Sequence, residues 1–307
     1  MSRPPVATAE APAAEKKESV RVAAPAKVNL YLHVVERRSD GYHRLDSLVA
    51  FAGIGDTVEV RRAGEISLQL EGPFAQAVPS GADNLAMRAA LALARAAEVN
   101  AGAEIRLTKR LPPASGIGGG SADAAATVRA LLRLWDVRLD ARTLAALALG
   151  LGADVPVCLA GRAAFVGGIG EELAPAPRLP PASIVLANPG MPVSTPEVFR
   201  RRAGPFSQPA RFSETPRDAA ALAALLKARG NDLEEPARAI CPAIGDAIAA
   251  LERQKGALIA RMSGSGATCF ALFAEAGSAT EAAFALARTH PGWWVKAGSL
   301  EADATRL

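Results

Sequence analysis

A glycine-rich segment is the part of this sequence whose residue types point most directly to chemistry. Four glycines fall within the five residues from Gly116 to Gly120, and glycine allows positive φ and a close approach of backbone to ligand because it has no Cβ. A strand-like alternating pattern precedes the segment at 103–111, and an alanine- and leucine-rich helical pattern follows it to Trp135. A helix N-terminus has unpaired N–H groups and partial positive charge, so this order predicts a phosphate site. Ser121 is a candidate N-cap, and its hydroxyl could equally contact the phosphate.

Two common phosphate-binding motifs do not fit this segment. A Walker A loop has a lysine after its last glycine, whereas Ser121 follows Gly120 here. The dinucleotide fingerprint has a third glycine where Ser121 stands. The alternative without a ligand is a mobile glycine linker, which a position between a periodic strand and a helix does not favour.

Two charged residues elsewhere could serve in the transfer of a phosphoryl group to an alcohol. That reaction needs a group that accepts the proton of the hydroxyl, and positive charge near the γ-phosphate. Asp154 lies in the segment Gly-Ala-Asp-Val-Pro, and Lys27 lies in an alternating segment that places Asn29 on the same strand face. Taken alone, each charge is better explained as a surface ion pair or a helix cap.

The elements that must position these residues form a mixed α and β pattern. Alternating residues predict strands in the first quarter at 20–35 (interrupted at Pro25), 45–51, 56–61 and 65–71. Helical patterns follow Asn84 and Asp140, and Pro156 places Asp154 on a loop or at a helix end. The class predicted is α+β.

A proline-rich stretch divides the pattern into two parts. The predicted organisation is a disordered tail at 1–19, a first domain at 20–173, a linker at 174–182 and a second domain at 183–307.

Composition limits the class of protein. The chain has 307 residues, of which 50% are hydrophobic and 21% charged, with a net charge of +4, as in globular proteins. The positive excess is too diffuse for a nucleic-acid surface, no apolar run is long enough to cross a membrane, and no obligate protein partner is evident. Cys158, Cys241 and Cys269 are widely spaced, and the N-terminus lacks the apolar segment of a secretory signal. We therefore expect a cytoplasmic protein whose cysteines are inert buried thiols, with a small molecule as its partner.

Six segments, taken in chain order, resemble the motifs of the GHMP-type small-molecule kinases. They are 25–30 (Pro-Ala-Lys-Val-Asn-Leu), 40–43 (Asp-Gly-Tyr-His), 111–121, 152–156, 188–190 (Asn-Pro-Gly) and 262–267. The second and fourth resemble the branch that phosphorylates the C2 hydroxyl of 4-diphosphocytidyl-2-C-methyl-D-erythritol in the non-mevalonate isoprenoid pathway. The resemblance runs from about residue 24 to the C-terminus. It implies a two-domain α+β fold with an N-terminal ATP-binding domain, a smaller C-terminal domain and an active site in the cleft between them.

The resemblance also implies roles for individual residues. Asp154 would accept the proton of the acceptor hydroxyl, and Lys27 would orient that hydroxyl and the aspartate. The turn at 263–266 would support the phosphate loop from the second domain. The implied ATP loop is Pro112, Pro113, Ala114, Ser115, Gly116, Ile117, Gly118, Gly119, Gly120, Ser121 and Ala122. The implied acceptor contacts are Asn29, Thr195 and three aromatic groups near the cytosine, Tyr42, His43 and Phe199.

ATP and Mg²⁺ are the co-substrate and cofactor that the resemblance implies. No acidic residue identifies itself as a metal ligand, so we expect the ATP phosphates and water to hold the Mg²⁺. Two other functions stay open. One is a GHMP kinase for another alcohol, such as homoserine, mevalonate or a sugar, for which Tyr42 and His43 have no use. The other is a non-catalytic relative, against which the presence of both Lys27 and Asp154 argues.

Overall fold

The computed structural model describes residues 18–307. The predicted tail lies outside the described residues up to residue 17. Strand β1 begins at Ser19, one residue before the predicted start of order. None of the helices in the described range has the length and apolar character that crossing a bilayer requires.

The strands in residues 18–307 are numbered in chain order. They are β1 (Ser19–Arg37), β2 (His43–Ala63), β3 (Ile66–Glu71), β4 (Gly102–Thr108), β5 (Ala164–Gly167), β6 (Glu172–Pro175), β7 (Ser183–Asn188), β8 (Ala257–Met262), β9 (Cys269–Phe273) and β10 (Trp294–Glu301).

The helices follow the same convention. They are α1 (Leu85–Ala96), α2 (Gly119–Trp135), α3 (Ala141–Leu151), α4 (Val155–Ala160), α5 (Thr195–Arg201), α6 (Ala219–Lys227), α7 (Glu234–Ile240), α8 (Ala243–Glu252) and α9 (Ala276–Thr289), with short 3₁₀ turns at Ala75–Ala77 and Ala304–Arg306.

The strands form a mixed sheet in the order β3-β4-β2-β10-β7-β9-β8, with β1 and β5 also paired to β2. The pair β3–β4 is parallel and is joined through α1, as a parallel connection requires. Strand β10 pairs with β7 over most of its length and with β2 at Leu300 and Glu301. The last strand therefore ties the second half of the chain to the first. The division into domains at 174–182 stays a prediction.

Three groups of buried apolar side chains hold these layers together. One lies between the first-half strands and α1 to α4 and includes Ile105 and Leu131. A second joins the middle of β1 and β2 to β7, β9 and α6 around Tyr31 and Phe270. A third lies between β8, β9 and α7 to α9. Because the middle of β1 contributes to the second and third groups, its polar residues are held rigidly between the two halves.

Strands β1 and β2 are longer than predicted. The pairing register shifts between Pro25 and Lys27, and such a bulge accommodates a proline that lacks an N–H. In β2, a Cβ on Gly55 would lie 2.5 Å from the carbonyl oxygen of Ala24, so the glycine permits a close approach of two strands and does not end one. Helix α7 has no predicted counterpart, because Pro236 obscures the pattern although the first turn of a helix tolerates it.

Candidate active site

The glycine loop enters α2 earlier than the sequence suggests. The helix begins at Gly119, and its N-cap is Gly118, with φ 62° and ψ 26°. The prediction that Ser121 is the N-cap is wrong, because Gly118 takes the left-handed conformation that other residues rarely adopt and starts the helix there. The N–H group of Ala122 donates to the carbonyl of Gly118. The N–H groups of residues 119–121 are therefore those that a helix leaves without an intrahelical partner.

Three consecutive carbonyls anchor the loop to the rest of the protein. Ser115 O accepts from Thr268 N (3.0 Å), and Ile117 O accepts from Lys27 N (2.9 Å). Gly116 O accepts from Ser263 Oγ (3.1 Å). In a trans peptide the N–H group that follows a carbonyl points the opposite way to it. The N–H groups of residues 116, 117 and 118 therefore face away from these anchors.

Lys27 and Asp154, the two predicted catalytic residues, are in contact. Lys27 Nζ lies 3.0 Å from Asp154 Oδ2, with the lysine side chain buried and that of the aspartate 43% exposed. Asp154 precedes α4 and makes no capping bond from its side chain. A Cβ on Gly118 would lie 3.0 Å from Lys27 Cε and 3.7 Å from Asp154 Oδ2. The backbone of the phosphate loop therefore passes directly over an ammonium–carboxylate pair.

A chain of hydrogen bonds fixes the lysine. Its Nζ donates to Asn29 Oδ1 (2.9 Å), as their shared strand face predicts, and Asn29 Nδ2 donates to Ser47 Oγ (2.8 Å). Ser47 Oγ in turn donates to the carbonyl of Tyr31 (2.5 Å). No sequence motif marks Ser47, since its only signal is a polar residue within an apolar strand.

The second half of the chain reaches the loop through the turn at 263–266. Ser263 Oγ accepts from Asn29 N (3.1 Å) and donates to Gly116 O. Asn231 Nδ2 donates to the carbonyls of Met262 and Gly264, both at 2.9 Å, and fixes the turn. The contact between this turn and the loop is the one that the sequence resemblance implies.

Thr195, at the start of α5, lies against the same turn. Its Oγ1 shares a hydrogen bond of 2.6 Å with Ser265 Oγ, which lies in the turn at 263–266. Both hydroxyls therefore lie at the turn whose Ser263 contacts the glycine loop.

Two of the three predicted aromatic contacts lie together. The rings of His43 and Phe199 are stacked, with centroids 5.2 Å apart and an interplanar angle of 22°. Tyr42 is 62% exposed, and its backbone N–H donates to Asp40 Oδ1 (3.1 Å). Burial, with smaller contributions from Arg37 and Arg202, lowers the pKa of His43, which favours the neutral imidazole. Among the described residues, the Tyr42 ring makes no ring contact.

Comparisons with known proteins show which family this chain belongs to. Residues 84–162 match the GHMP kinases N terminal domain, and residues 209–292 match the GHMP kinases C terminal domain. The 4-diphosphocytidyl-2-C-methyl-D-erythritol kinase of Paramagnetospirillum magneticum is 55% identical over 92% of this chain and 99% of its own length. The chain belongs to the 4-diphosphocytidyl-2-C-methyl-D-erythritol kinase family. The family member of Rhodospirillum rubrum is 51% identical over 98% of both chains.

Solved structures place the fold of this kinase among its relatives. A crystal structure of a 4-(cytidine 5'-diphospho)-2C-methyl-D-erythritol kinase superposes with a TM-score of 0.73 at 37% identity, over 92% of this chain and 99% of that one. Homoserine kinase of Cytophaga hutchinsonii gives a TM-score of 0.75 at 19% identity, over 96% and 99%. The second likeness shows the fold alone. The predicted two-domain GHMP kinase fold, with mixed α and β elements, is confirmed.

Membership of this kinase family gives the site a small-molecule substrate and ATP as co-substrate. In the described part of the chain, no three His, Cys, Asp or Glu side chains are close enough to hold a metal ion among themselves.

Proposed function

We propose that this protein transfers the γ-phosphoryl group of ATP to the C2 hydroxyl of 4-diphosphocytidyl-2-C-methyl-D-erythritol, giving the 2-phosphate and ADP in the non-mevalonate isoprenoid pathway. The observation that carries the proposal is the Lys27–Asp154 pair beneath Gly118. It puts a proton acceptor and a buried cation at the edge of a phosphate loop. The names of the close relatives support the choice of acceptor.

Asp154 is the general base in this proposal. Its carboxylate is open to solvent on one side and contacts Lys27 on the other, so an acceptor hydroxyl can reach it. The hydroxyl proton passes to Asp154, the oxygen bonds to the γ-phosphorus, and the bond from that phosphorus to the β-phosphate oxygen breaks with ADP as leaving group.

Lys27 is the electrostatic partner. Asn29 and Ser47 hold its Nζ at a fixed position, so the cation needs little reorganisation when charge develops on the transferred group. The unpaired N–H groups at the start of α2 bind phosphate oxygens by the same principle. Mg²⁺, when bound with ATP, would neutralise phosphate charge, and we propose that the ATP phosphates and water hold it, which leaves the Asp154 carboxylate available as the base.

The stacked pair of His43 and Phe199 is the proposed cytosine site. An aromatic side chain that stacks on a base contributes about 1–3 kcal/mol of binding free energy per base. A neutral imidazole donates from one nitrogen and accepts at the other, which suits the edge of a cytosine. Tyr42 is proposed as a further face, since its exposed ring is free to pack on a bound base.

The first test is a coupled assay of ADP release with ATP, Mg²⁺ and the complete acceptor, run beside 2-C-methyl-D-erythritol 4-phosphate, which lacks the cytidine. Turnover of the complete acceptor alone is the expected result. Equal turnover of both would remove the role of the nucleobase. Turnover of homoserine or mevalonate in place of both would support the alternative of a GHMP kinase for another alcohol.

Replacing Phe199 by alanine is expected to raise KM for the acceptor about tenfold and to leave KM for ATP unchanged, because only the base loses a stacking face. Steady-state kinetics with each substrate varied in turn measures this. Phe284→Ala is the matched control, since Phe284 is a 71% exposed phenylalanine on α9. A parallel rise in KM for ATP would contradict the assignment.

We also propose that the reaction takes place in the cytoplasm. Cys158, Cys241 and Cys269 are buried and unpaired, as the sequence predicts, and burial raises the pKa of Cys158 to about 12. Such thiols are inert and suit a reducing compartment. Fractionation of cells that express the tagged full chain tests the location.

A further inference from the structure

Three buried charged residues lie together behind the glycine loop, and we call them the loop cluster: Asp56, Lys109 and Asp123. They come from β2, from the residue after β4 and from α2. Their side chains are at most 4% exposed. Lys109 Nζ donates to Asp56 Oδ2 and to Asp123 Oδ2, the second at 2.6 Å.

The loop cluster is attached to both ends of the loop. Asp56 Oδ1 accepts from the backbone N–H groups of Arg110 and Leu111, the latter at 2.9 Å, at the start of the loop. Asp123 lies in α2 just past the end of the loop. A Cβ on Gly119 would lie 3.7 Å from Lys109 Nζ, so the ammonium packs against the first residue of the helix.

The charges of the cluster do not balance if both carboxyl groups are ionised. Two carboxylates would face one ammonium, and a net negative charge would be buried next to a site for phosphates. Such a charge is costly in a low-dielectric interior and repels an anionic ligand. Asp123 Oδ1 is buried and has no hydrogen-bond partner in the part of the chain that the structure describes. An ionised Oδ1 would therefore be buried with no hydrogen-bond donor to stabilise its charge.

We propose that the loop cluster positions both ends of the phosphate loop and retains a proton on Asp123, so that no net charge lies buried behind the nucleotide phosphates. The part that concerns nucleotide binding rests on the proposed function. The claim that Asp123 retains a proton is independent of the proposed function, and it is tested without any substrate.

The charges around the cluster support this state. Burial is the largest influence on Asp123; Lys109 opposes it and Asp56 adds to it, and together they raise the pKa of Asp123 to about 8. Burial alone would lower the pKa of Lys109, but Asp123 and Asp56 outweigh it and leave that pKa above its ordinary value. Lys109 therefore stays charged at neutral pH while Asp123 is protonated.

The other elements packed against α2 bring few further charges to Asp123. Helix α4 brings Cys158, a neutral thiol whose pKa is raised to about 12. The charged residues of α1, Arg88 and Arg95, line a separate cavity of about 290 Å³ between α1 and α3. In β1, Lys27 pairs with Asp154.

The retained proton predicts a definite dependence of stability on pH. An aspartate in an unfolded chain has a pKa of about 3.9, so between that value and about 8 the folded protein holds a proton that the unfolded chain lacks. The contribution of Asp123 to stability then falls as pH rises, by about tenfold in the folding equilibrium constant per pH unit. Above about pH 9 both states are ionised and the contribution is constant.

The experiment is urea unfolding of the full chain and of Asp123→Asn from pH 5 to pH 9. The ratio of the two folding constants, wild type over variant, is expected to fall about 500-fold from pH 5 to pH 8 and to level off near pH 9. Asp140→Asn is the control. Hydrogen bonds from Thr143 and the backbone lower the pKa of Asp140, so its ratio to wild type stays constant over this range. A constant ratio for Asp123→Asn as well would overturn the proposal.

Nucleotide binding gives a second readout that a merely structural role would not change. Calorimetry with ATP and Mg²⁺ is expected to show binding to the wild type about tenfold weaker at pH 9 than at pH 7, and binding to Asp123→Asn unchanged between the two. ATP binding needs no acceptor, so a wrong acceptor assignment leaves this result intact. Equal pH dependence in both proteins would remove the role of the proton in binding.

If Asp123→Asn does not fold, infrared spectroscopy of the wild type decides the question. A protonated carboxyl band at pH 6.5 that disappears by pH 9.5 supports the proposal. The absence of that band at pH 6.5 would overturn it.

Discussion

Replacing Asp154 by asparagine is expected to lower kcat by about 10²- to 10⁴-fold, the contribution of a well-placed general base, while ATP still binds. Asparagine has nearly the same shape and cannot accept the proton. The loop, the start of α2 and the anchors of Lys27 involve other residues, so the nucleotide site stays in place. Steady-state ADP release measures kcat, and calorimetry measures ATP binding.

The stability of this variant is expected to stay close to that of the wild type. The Asp154 side chain makes no capping bond and is 43% exposed. Although Lys27 is buried, its Nζ keeps the hydrogen bond to Asn29, and the amide oxygen of an asparagine at position 154 can still accept from it. Asp140 provides the opposite case, since its side chain accepts from the N–H groups of Arg142 and Thr143 at the start of α3. Asp140→Ala should lose about 1 kcal/mol of unfolding free energy with kcat unchanged. Near-normal turnover of Asp154→Asn would remove Asp154 from the mechanism.

Local sequence signals were sufficient for the parts of the site that lie within one element. Strand alternation predicts that Lys27 and Asn29 share a face, and they are hydrogen-bonded. Pro156 predicts that Asp154 lies on a loop or at a helix end, and Asp154 is the residue before α4. The glycines predict a loop before a helix, and only the helix start differs.

Contacts between distant segments could not be predicted in this way. Ser263 and Gly116 are 147 residues apart, and Lys109 and Asp56 are 53 residues apart. No local pattern shows that such residues meet, because the meeting depends on how strands pair and helices pack. The same limit applies to β2, where Gly55 suggests a break in the sequence and permits a close strand crossing in the fold.

Replacing Gly116 by alanine is expected to destabilise the protein and to disturb the loop. Gly116 has φ +77°, and a Cβ there would lie 2.5 Å from Ser263 O and 2.7 Å from Gly266 O. Both are backbone atoms of the turn, so neither can move aside as a flexible side chain would. Strain at such a position costs about 1–3 kcal/mol, and relief requires the loop and the turn to separate.

Separation of the loop from the turn should also break the hydrogen bond from Ser263 to Gly116 and shift the N–H groups that follow it. We therefore expect Gly116→Ala to lower the unfolding free energy by at least about 1 kcal/mol and to raise KM for ATP. Gly120→Ala is the matched control in the same loop, because its Cβ would meet only Leu85 Cδ2 at 3.9 Å. Alanine in a helix is more favourable than glycine by about 0.5–1 kcal/mol, so Gly120→Ala should be at least as stable as the wild type. Equal stability of the two variants in urea unfolding would show that the close approach of Gly116 to the turn does not constrain the loop.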